Sequence, residues 1–325
     1  MKKTKSLTIA LTIAILALLV AGCAGPSSEG AERGIFGGDS KVTTKTFIGG
    51  TQGLLLRFTE ERPRAEVFDG GADPFDIEVE LLNDGEWDVA QEDVSVAISG
   101  IDPQEFSVAS LVQTPEEDLI AKVKDPEGNE IPSIPTYVLF PDLNHESSVI
   151  GSVPYPIRAD VCYKYGTNVI SELCIRKDLR ATTPSVCEVK ESKPVQNSGA
   201  PVHVVEFTES AASADTISFV FKIQHRSNGG VYKLGSGCDK GNRANTDKVY
   251  VEVDTGLPGL QCSGLRDGTE NTGYADLRTG EAIVRCKQQI SAETDFKKVV
   301  NINLEYDYEN TISTQVTIKQ SEALT

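Results

Sequence analysis

The fold of this chain is decided by one stretch, residues 75–98, which reads FDIEVELLNDGEWDVAQEDVSVAI. Its first part places an apolar residue at every second position: Phe75, Ile77, Val79 and Leu81. An Asn-Asp-Gly turn signal follows at residues 83–85, and the alternation resumes at residues 94–98. A period of two puts one set of side chains on a buried face and the other on a wet face. The stretch therefore predicts two β-strands joined through a turn.

Comparable apolar runs continue along the rest of the chain. They lie at residues 54–58, 119–123, 137–140, 157–165, 202–207, 217–223, 248–254, 274–286, 300–306 and 312–318. In the first half of the chain, no stretch keeps the i, i+3, i+4, i+7 apolar spacing of a helix for long enough. Short alternating strands separated by frequent turn signals predict an all-β fold built from β-sandwiches.

A break in composition divides these strands into two groups. Residues 177–200, KDLRATTPSVCEVKESKPVQNSGA, contain two prolines and few apolar residues. The part of the chain that carries the strand pattern is longer than one typical domain. We therefore expect two tandem immunoglobulin-like β-sandwich domains, residues 45–180 and residues 181–325.

The N-terminus has the anatomy of a secretory leader. Residues 1–23 read MKKTKSLTIALTIAILALLVAGC, with three lysines before an uncharged apolar run at residues 7–21. At about 1.5 Å per residue this run covers roughly 22 Å, which is less than the roughly 30 Å of a bilayer core. Val20-Ala21-Gly22-Cys23 resembles the lipobox of prokaryotic lipoproteins. The resemblance implies a signal peptide at residues 1–22 and a lipid on Cys23; an uncleaved helical anchor and cleavage with release are the alternatives.

The residues after the lipobox predict how the folded part is held. Residues 24–44, AGPSSEGAERGIFGGDSKVTT, are rich in Gly, Ser and charge and favour a flexible tether. We therefore expect an exported chain on the extracytoplasmic face, with the membrane as its partner through the lipid on Cys23.

The acidic charge limits the classes of partner. The formal net charge is −17, and removal of the leader lysines makes it more negative. Such a surface repels nucleic-acid phosphates and anionic lipid headgroups, so we expect no nucleic-acid partner. A solvated acidic surface without a specific partner is the simplest interpretation.

The remaining cysteines predict an oxidising compartment. Apart from Cys23 there are six, an even number: Cys162, Cys174, Cys187, Cys238, Cys262 and Cys286. Residues 161–175, VCYKYGTNVISELCI, look like a hairpin that turns near Asn168, which would pair Cys162 with Cys174. Cys262 and Cys286 could clamp neighbouring strands, which leaves Cys187 for Cys238.

Side chains with catalytic or metal-binding chemistry do not form a known motif. His145, His203 and His225 lie in unrelated contexts without metal-ligand spacing. The glycine-rich segment at residues 235–241 lacks the spacing of a phosphate loop and favours a disulfide-tied connection between strands. We therefore expect a protein that is not an enzyme, with no catalytic residues, metal or cofactor.

Three further features leave alternatives open. The acidic stripe at residues 76–80 could bind a cation, although the wet face of a strand is expected to be polar. Asp239, Asn242, Asn245 and Asp247 supply oxygen ligands that suit calcium, but their spacing is not that of an EF-hand. Trp87 is either an exposed contact for a carbohydrate or a protein, or a core aromatic of the first sandwich, which we favour.

Residues 75–98, and more loosely FVFKIQHRSNGG at residues 219–230, resemble the immunoglobulin-like domains repeated in archaeal and bacterial surface proteins, including the CARDB-like group. This resemblance implies a surface module without implying a catalytic site. We therefore expect a membrane-anchored binding or structural module of the envelope, with an unknown envelope protein or glycan as partner. The alternative is a carbohydrate-binding or enzymatic envelope module with its site in the sandwich loops.

Overall fold

The computed structural model describes residues 45–71, 73–181 and 183–321, and it confirms the all-β class. The strands are β1 (Leu54–Phe58), β2 (Glu66–Phe68), β3 (Phe75–Asn83), β4 (Val94–Ser99), β5 (Val112–Gln113), β6 (Val123–Lys124), β7 (Glu130–Ile131), β8 (Thr136–Leu143), β9 (Ser152–Ile175), β10 (Glu191–Ser192), β11 (Gln196–Asn197), β12 (Val202–Ala211), β13 (Thr216–His225), β14 (Gly230–Tyr232), β15 (Lys248–Asp254), β16 (Leu260–Ser263), β17 (Thr272–Asp276), β18 (Glu281–Gln289) and β19 (Phe296–Lys319). Two single-turn 3-10 helices, Gln91–Asp93 and Arg243–Asn245, connect strands. Among these described residues, no helix is long and apolar enough to cross a membrane.

Two strands of 24 residues form the centre of the largest sheet. β9 and β19 pair antiparallel along their whole length, from Ser152 opposite Lys319 to Ile175 opposite Phe296. β4 and β5 extend this sheet beyond β9, and β15 and β17 extend it beyond β19. We call it the long sheet. Buried and more exposed side chains alternate along its strands because successive side chains of a strand point to opposite faces.

Two smaller sheets cover one face of the long sheet. The odd-numbered residues of β9 from Ile157 onward and the even-numbered residues of β19 from Val300 to Tyr308 are buried, and these define its inner face. The three-stranded sheet, in the order β1-β3-β8, and the five-stranded sheet, in the order β10-β12-β13-β18-β16, add their buried residues to the same hydrophobic core.

Four tyrosines mark the place where the smaller sheets meet the centre of the long sheet. Tyr163, Tyr165, Tyr306 and Tyr308 are fully buried on the inner face. Their hydroxyls bond the amide of Leu54, the side chain of Asn83, the amide of Val202 and the ring of His225, respectively. A buried hydroxyl is costly unless it is hydrogen-bonded, so these bonds connect both smaller sheets to the same two strands. Burial raises the pKa of all four hydroxyls.

The structure differs from the expected division into residues 45–180 and residues 181–325. Lys45–Thr325 separates as one compact unit. β9, from the first expected domain, pairs with β19, from the second, over 24 residues. Alternation located the extended segments, but it divided both β9 and β19, each of which is one continuous strand, into shorter ones. It also does not specify which distant strand is the partner.

The disulfides correct one predicted hairpin. Residues 161–175 belong to the single strand β9, so Cys162 and Cys174 lie roughly 40 Å apart at about 3.3 Å per residue. The predicted pairs Cys162–Cys174 and Cys187–Cys238 are therefore wrong; the bonds are Cys162–Cys238 and Cys174–Cys187. The predicted pair Cys262–Cys286 is confirmed, because these residues face each other on β16 and β18. The leader, Cys23 and the tether at residues 24–44 lie outside the described residues.

Candidate functional site

The outer face of the long sheet carries a row of side chains on four adjacent strands. Gly166 of β9 lies opposite Glu305 of β19, Glu305 lies opposite Tyr250 of β15, and Tyr250 lies opposite Tyr274 of β17. The ring of Trp87 lies against Gly166. We call Trp87, Glu305, Tyr250 and Tyr274 the aromatic row; all four are partly exposed.

Trp87 lies flat on β9. A Cβ atom on Gly166 would be 2.5, 2.5 and 2.6 Å from three atoms of the six-membered ring of Trp87, so the ring presents its face to this glycine. The chain is brought there by the turn after β3, where the Asn83 side-chain amide donates to the carbonyl of Trp87 at 2.8 Å. Glycine within a strand allows this close approach. The exposed part of Trp87 is therefore its opposite face or its edge. The sequence allowed either a core aromatic or an exposed contact at this position, and Trp87 has one buried side and one exposed side.

The other end of the aromatic row consists of two tyrosines whose rings are in contact. The ring centroids of Tyr250 and Tyr274 lie 5.2 Å apart with an interplanar angle of 68°. The Lys233 ammonium lies 5.1 Å from the centroid of Tyr274, within reach of a cation–π contact. Burial, followed by the neighbouring Tyr250 and carboxylates, raises the pKa of Tyr274. Tyr250 is therefore the tyrosine nearer to Glu305, and the ring of Tyr274 packs against it on the side away from Glu305.

Polar side chains lie on both sides of the aromatic row. The cross-strand register places Lys164, Asp307, Lys248 and Asp276 along one side, and Asn168, Asn303, Glu252 and Thr272 along the other. The Lys164 ammonium lies 3.5 Å from the Glu305 carboxylate. The surface thus combines flat aromatic groups with amides, carboxylates and ammonium groups that can exchange hydrogen bonds with a polar ligand.

A cleft of about 500 Å³ adjoins the row on its Lys164 and Asp307 side. Its wall includes the loop that carries Cys238, which the disulfide to Cys162 fastens to β9. Asp307 is buried and accepts bonds from the amides of Gly235 at 3.0 Å and Gly237 at 2.7 Å. The glycine-rich segment is therefore a disulfide-tied connection, as its sequence predicted.

The residues that the sequence singled out for cation or metal chemistry do not converge. In the acidic stripe, Glu78 pairs with Arg62 at 2.9 Å and Glu80 with Arg57 at 2.7 Å. In the loop at residues 239–247, the side chains of Asp239 and Asn242 accept from backbone amides two residues on. Over the described ranges, no group of three or more His, Cys, Asp or Glu side chains is placed to hold a metal ion.

The three histidines occupy separate environments. His145 is buried beside Glu105 at 3.1 Å and Tyr155 at 3.2 Å, and burial and Glu105 raise the pKa of Tyr155 to about 12. His225 bonds the hydroxyl of Tyr308 at 2.9 Å, and burial lowers the pKa of His225 and of His203.

Sequence inspection missed one buried ion pair. The Lys193 ammonium lies 3.2 Å from a Glu209 carboxylate oxygen, and the side chains are 1% and 0% exposed. Glu209 also accepts from the amide of Cys174, and burial raises the pKa of Glu209 to about 7. Glu209 occupies a polar-looking position near the end of β12, so no local signal in the sequence identifies its buried partner.

Known proteins show little similarity to this chain. No family model matches the chain, and no curated protein matches it. Among solved structures, the chain is similar to the envelope protein VP37 from White Spot Syndrome Virus, with 11% identity and a TM-score of 0.20. That match covers 44% of this chain and 97% of the viral one, and a likeness of this extent carries no argument about function.

Proposed function

We propose that this chain is an exported, membrane-tethered module of the cell envelope that binds an envelope component through the outer face of the long sheet. The observation that carries the proposal is the partly exposed aromatic row, in which three side chains lie on strands and Trp87, from the connection between β3 and β4, packs on β9. Hydrogen bonding and the Cys162–Cys238 disulfide fix β9. Rigid strands present contact side chains with little loss of conformational entropy on binding. Tyrosine and tryptophan are enriched at such contact surfaces because they combine an apolar body with a polar end.

Export is supported by the chemistry of the cysteines. All six cysteines after residue 160 form disulfides, and such bonds persist in oxidising compartments. The lipobox-like Val20-Ala21-Gly22-Cys23 supports tethering by lipid. Together they favour an extracytoplasmic module held at the membrane through Cys23.

A binding role fits the outer face better than a catalytic one. The side chains that come together there are aromatic rings, amides, carboxylates and lysines on an open sheet. The three histidines lie in separate places away from this row. We therefore assign the protein no catalytic role.

The lipid anchor is tested by expressing the chain in a prokaryotic host that processes lipoproteins and measuring the intact mass of the membrane-bound product. We expect a mature protein that begins at an acylated Cys23, and a Cys23→Ala variant that loses both the lipid mass and the membrane association. Retention of Met1, or an unmodified N-terminus at another residue, would contradict the lipid anchor.

The binding role is tested with the purified chain and solubilised native envelope. Envelope material should be captured by the wild-type protein and not by a Trp87→Ala/Tyr250→Ala variant with the same thermal unfolding midpoint. Equal capture by the two proteins would contradict a binding role for the outer face.

A further inference from the structure

We infer that the aromatic row is a carbohydrate-binding site whose ligand is a neutral or N-acetylated oligosaccharide of pyranose sugars. The inference rests on the proposed function, because it names the ligand class of the same surface. The site lies on the face of the long sheet rather than in the loops at the end of a sandwich, where the sequence alternative placed it.

The first argument is the chemistry of the exposed rings. One face of a pyranose ring is lined by C–H groups, and this apolar face packs on a flat aromatic ring while the hydroxyls stay free to bond. Trp87 is partly exposed, and its flat seating on Gly166 fixes the ring without help from the ligand. A preformed aromatic platform binds with a small entropy cost because its rotamer is already restricted.

The second argument is the spacing along the row. Trp87 covers β9, and Tyr250 lies two strands away on β15, with Glu305 of β19 between them. Neighbouring strands are about 4.8 Å apart, so the two aromatic positions are separated by about 10 Å, roughly the length of a disaccharide. An oligosaccharide that runs across the strands would contact Trp87 and Tyr250 with sugars two units apart, and the sugar between them would lie above Glu305.

The third argument is the set of hydrogen-bonding groups beside the rings. Glu305 lies at the centre of the row, and the positions of Asn168 and Asn303 adjoin it on one side. Carboxylate oxygens accept from sugar hydroxyls, and amides both donate and accept, so they suit hydroxyls and N-acetyl groups. Because the Lys164 ammonium lies 3.5 Å from Glu305, the carboxylate is already close to a positive charge.

A cationic ligand fits the row less well. Lys164 is already beside the central carboxylate, and Lys233 already lies over the ring of Tyr274. An ammonium group bound at Glu305 would lie close to Lys164, and one bound on the ring of Tyr274 would lie close to Lys233, where like charges repel. A neutral ligand avoids this repulsion and can bond the same two lysines through its hydroxyls.

The chain provides its own probe, because Trp87 is its single tryptophan. The full chain, purified from its membranes in detergent, is titrated with chitohexaose, cellohexaose and maltohexaose. We expect at least one of them to change the wavelength or intensity of tryptophan emission and to protect Trp87 from iodide quenching. Calorimetry on the same samples gives the affinity independently of fluorescence.

Variants of the row and a matched control assign the binding. Trp87→Ala and Tyr250→Ala should each weaken binding by about tenfold or more, as expected for aromatic anchors. Glu305→Gln should weaken it by a few-fold, since one acceptor becomes weaker. Tyr137→Ala removes an exposed tyrosine from β8 of the three-stranded sheet and should leave the affinity unchanged. Trp87→Phe keeps an aromatic ring over Gly166, so it separates a binding loss from a folding loss.

Two results would overturn the inference. One is the absence of both the fluorescence change and calorimetric heat with all three oligosaccharides. The other is capture of native envelope material that protease abolishes and that periodate oxidation of sugars leaves intact. The second result would remove the carbohydrate ligand but keep the proposed binding module, whereas loss of all capture would contradict both.

Discussion

The two smaller sheets stabilise the same long strands in different ways. The three-stranded sheet, β1-β3-β8, comes from a part of the chain without cysteine, and a cluster of edge-to-face contacts among Phe75, Phe106, His145 and Tyr155 lies beside it. The five-stranded sheet has parallel stacking of Phe207 on Phe219, the Cys262–Cys286 bond and the buried Lys193–Glu209 pair. Aromatic packing is thus prominent at one end of β9 and β19, while the other end adds disulfide bonds and an ion pair in which both side chains are buried.

Stabilising chemistry and cooperativity are separate properties of these two sheets. The sheets differ in chemistry, but both are attached to β9 and β19 through the four buried tyrosines. If those strands transmit stability, a loss at either sheet weakens the whole unit. If they do not, the chain unfolds in two steps, as two separate domains would.

The largest expected effect comes from removing one core ring in each sheet. Phe140→Ala on β8 and Phe219→Ala on β13 each delete a fully buried side chain and should each lower the free energy of unfolding by about 3–5 kcal/mol. Because β9 and β19 are shared, both variants should shift one common transition in calorimetry and in near-ultraviolet circular dichroism. Two transitions, with each variant moving only its own, would restore the two-domain division at residue 180.

Removal of one disulfide should have a smaller and more local effect. The double variant Cys174→Ser/Cys187→Ser opens a link between residues 13 apart, worth about 3 kcal/mol in the chain-entropy model. The amide of Cys174 bonds Glu209 on β12, so hydrogen exchange should accelerate first in β12 and later in β3. Equal acceleration in both strands would show that the covalent link acts on the whole unit rather than on its own sheet. Wild-type protein with intact disulfides is the control.

A pH dependence should distinguish the buried ion pair from the rest of the five-stranded sheet. Burial raises the pKa of Glu209 to about 7, above the usual value of 4.5 for a glutamate side chain. The folded state therefore binds the proton more tightly, so this contribution is complete below pH 4.5 and is lost as the pH rises through 7. The loss is on the order of 3 kcal/mol at most, because one pKa unit corresponds to about 1.4 kcal/mol.

The variant Glu209→Gln tests this dependence of the free energy of unfolding on pH. The variant cannot ionise at this position, so its stability should fall less than that of wild type between pH 4.5 and pH 7 in denaturant titrations. Identical pH profiles would show that Lys193, 3.2 Å away, keeps Glu209 ionised throughout this range. In that case the pair would act as a permanent buried salt bridge.

The strands were predictable because alternation is a local property of the sequence. β3 was predicted from the alternation over Phe75–Leu81; the observed strand runs from Phe75 to Asn83, and its odd-numbered apolar residues are buried. The failure at residues 161–175 has a physical reason: Gly-Thr-Asn at 166–168 resembles a turn, yet the buried positions continue on odd numbers from Val161 to Leu173. The signal for a single strand was that the alternation stays on odd-numbered positions on both sides of that triplet.

The candidate site was not predictable in the same way. Parity places Tyr250, Tyr274 and Glu305 on one face of their strands, but the register between distant strands depends on tertiary pairing. Trp87 is brought to the row by a connection rather than by a strand. The single local hint was Gly166, because a glycine inside a long strand often marks a close approach.

The smallest expected effect concerns the surface of the three-stranded sheet. Arg57 lies 2.7 Å from Glu80, and the two side chains are 72% and 8% exposed, so water reaches the guanidinium while the carboxylate is largely buried. Arg57→Ala should lower the free energy of unfolding by about 1 kcal/mol, measured by denaturant titration at low and high salt, because water can take the place of the exposed guanidinium beside Glu80. Lys193→Met is the matched test in the five-stranded sheet, because it removes the buried cation beside Glu209 and should cost several-fold more. Similar small losses in both variants would mean that the buried pair stabilises its sheet no more than the surface pair does, and the contrast between the two sheets would then rest on the disulfides alone.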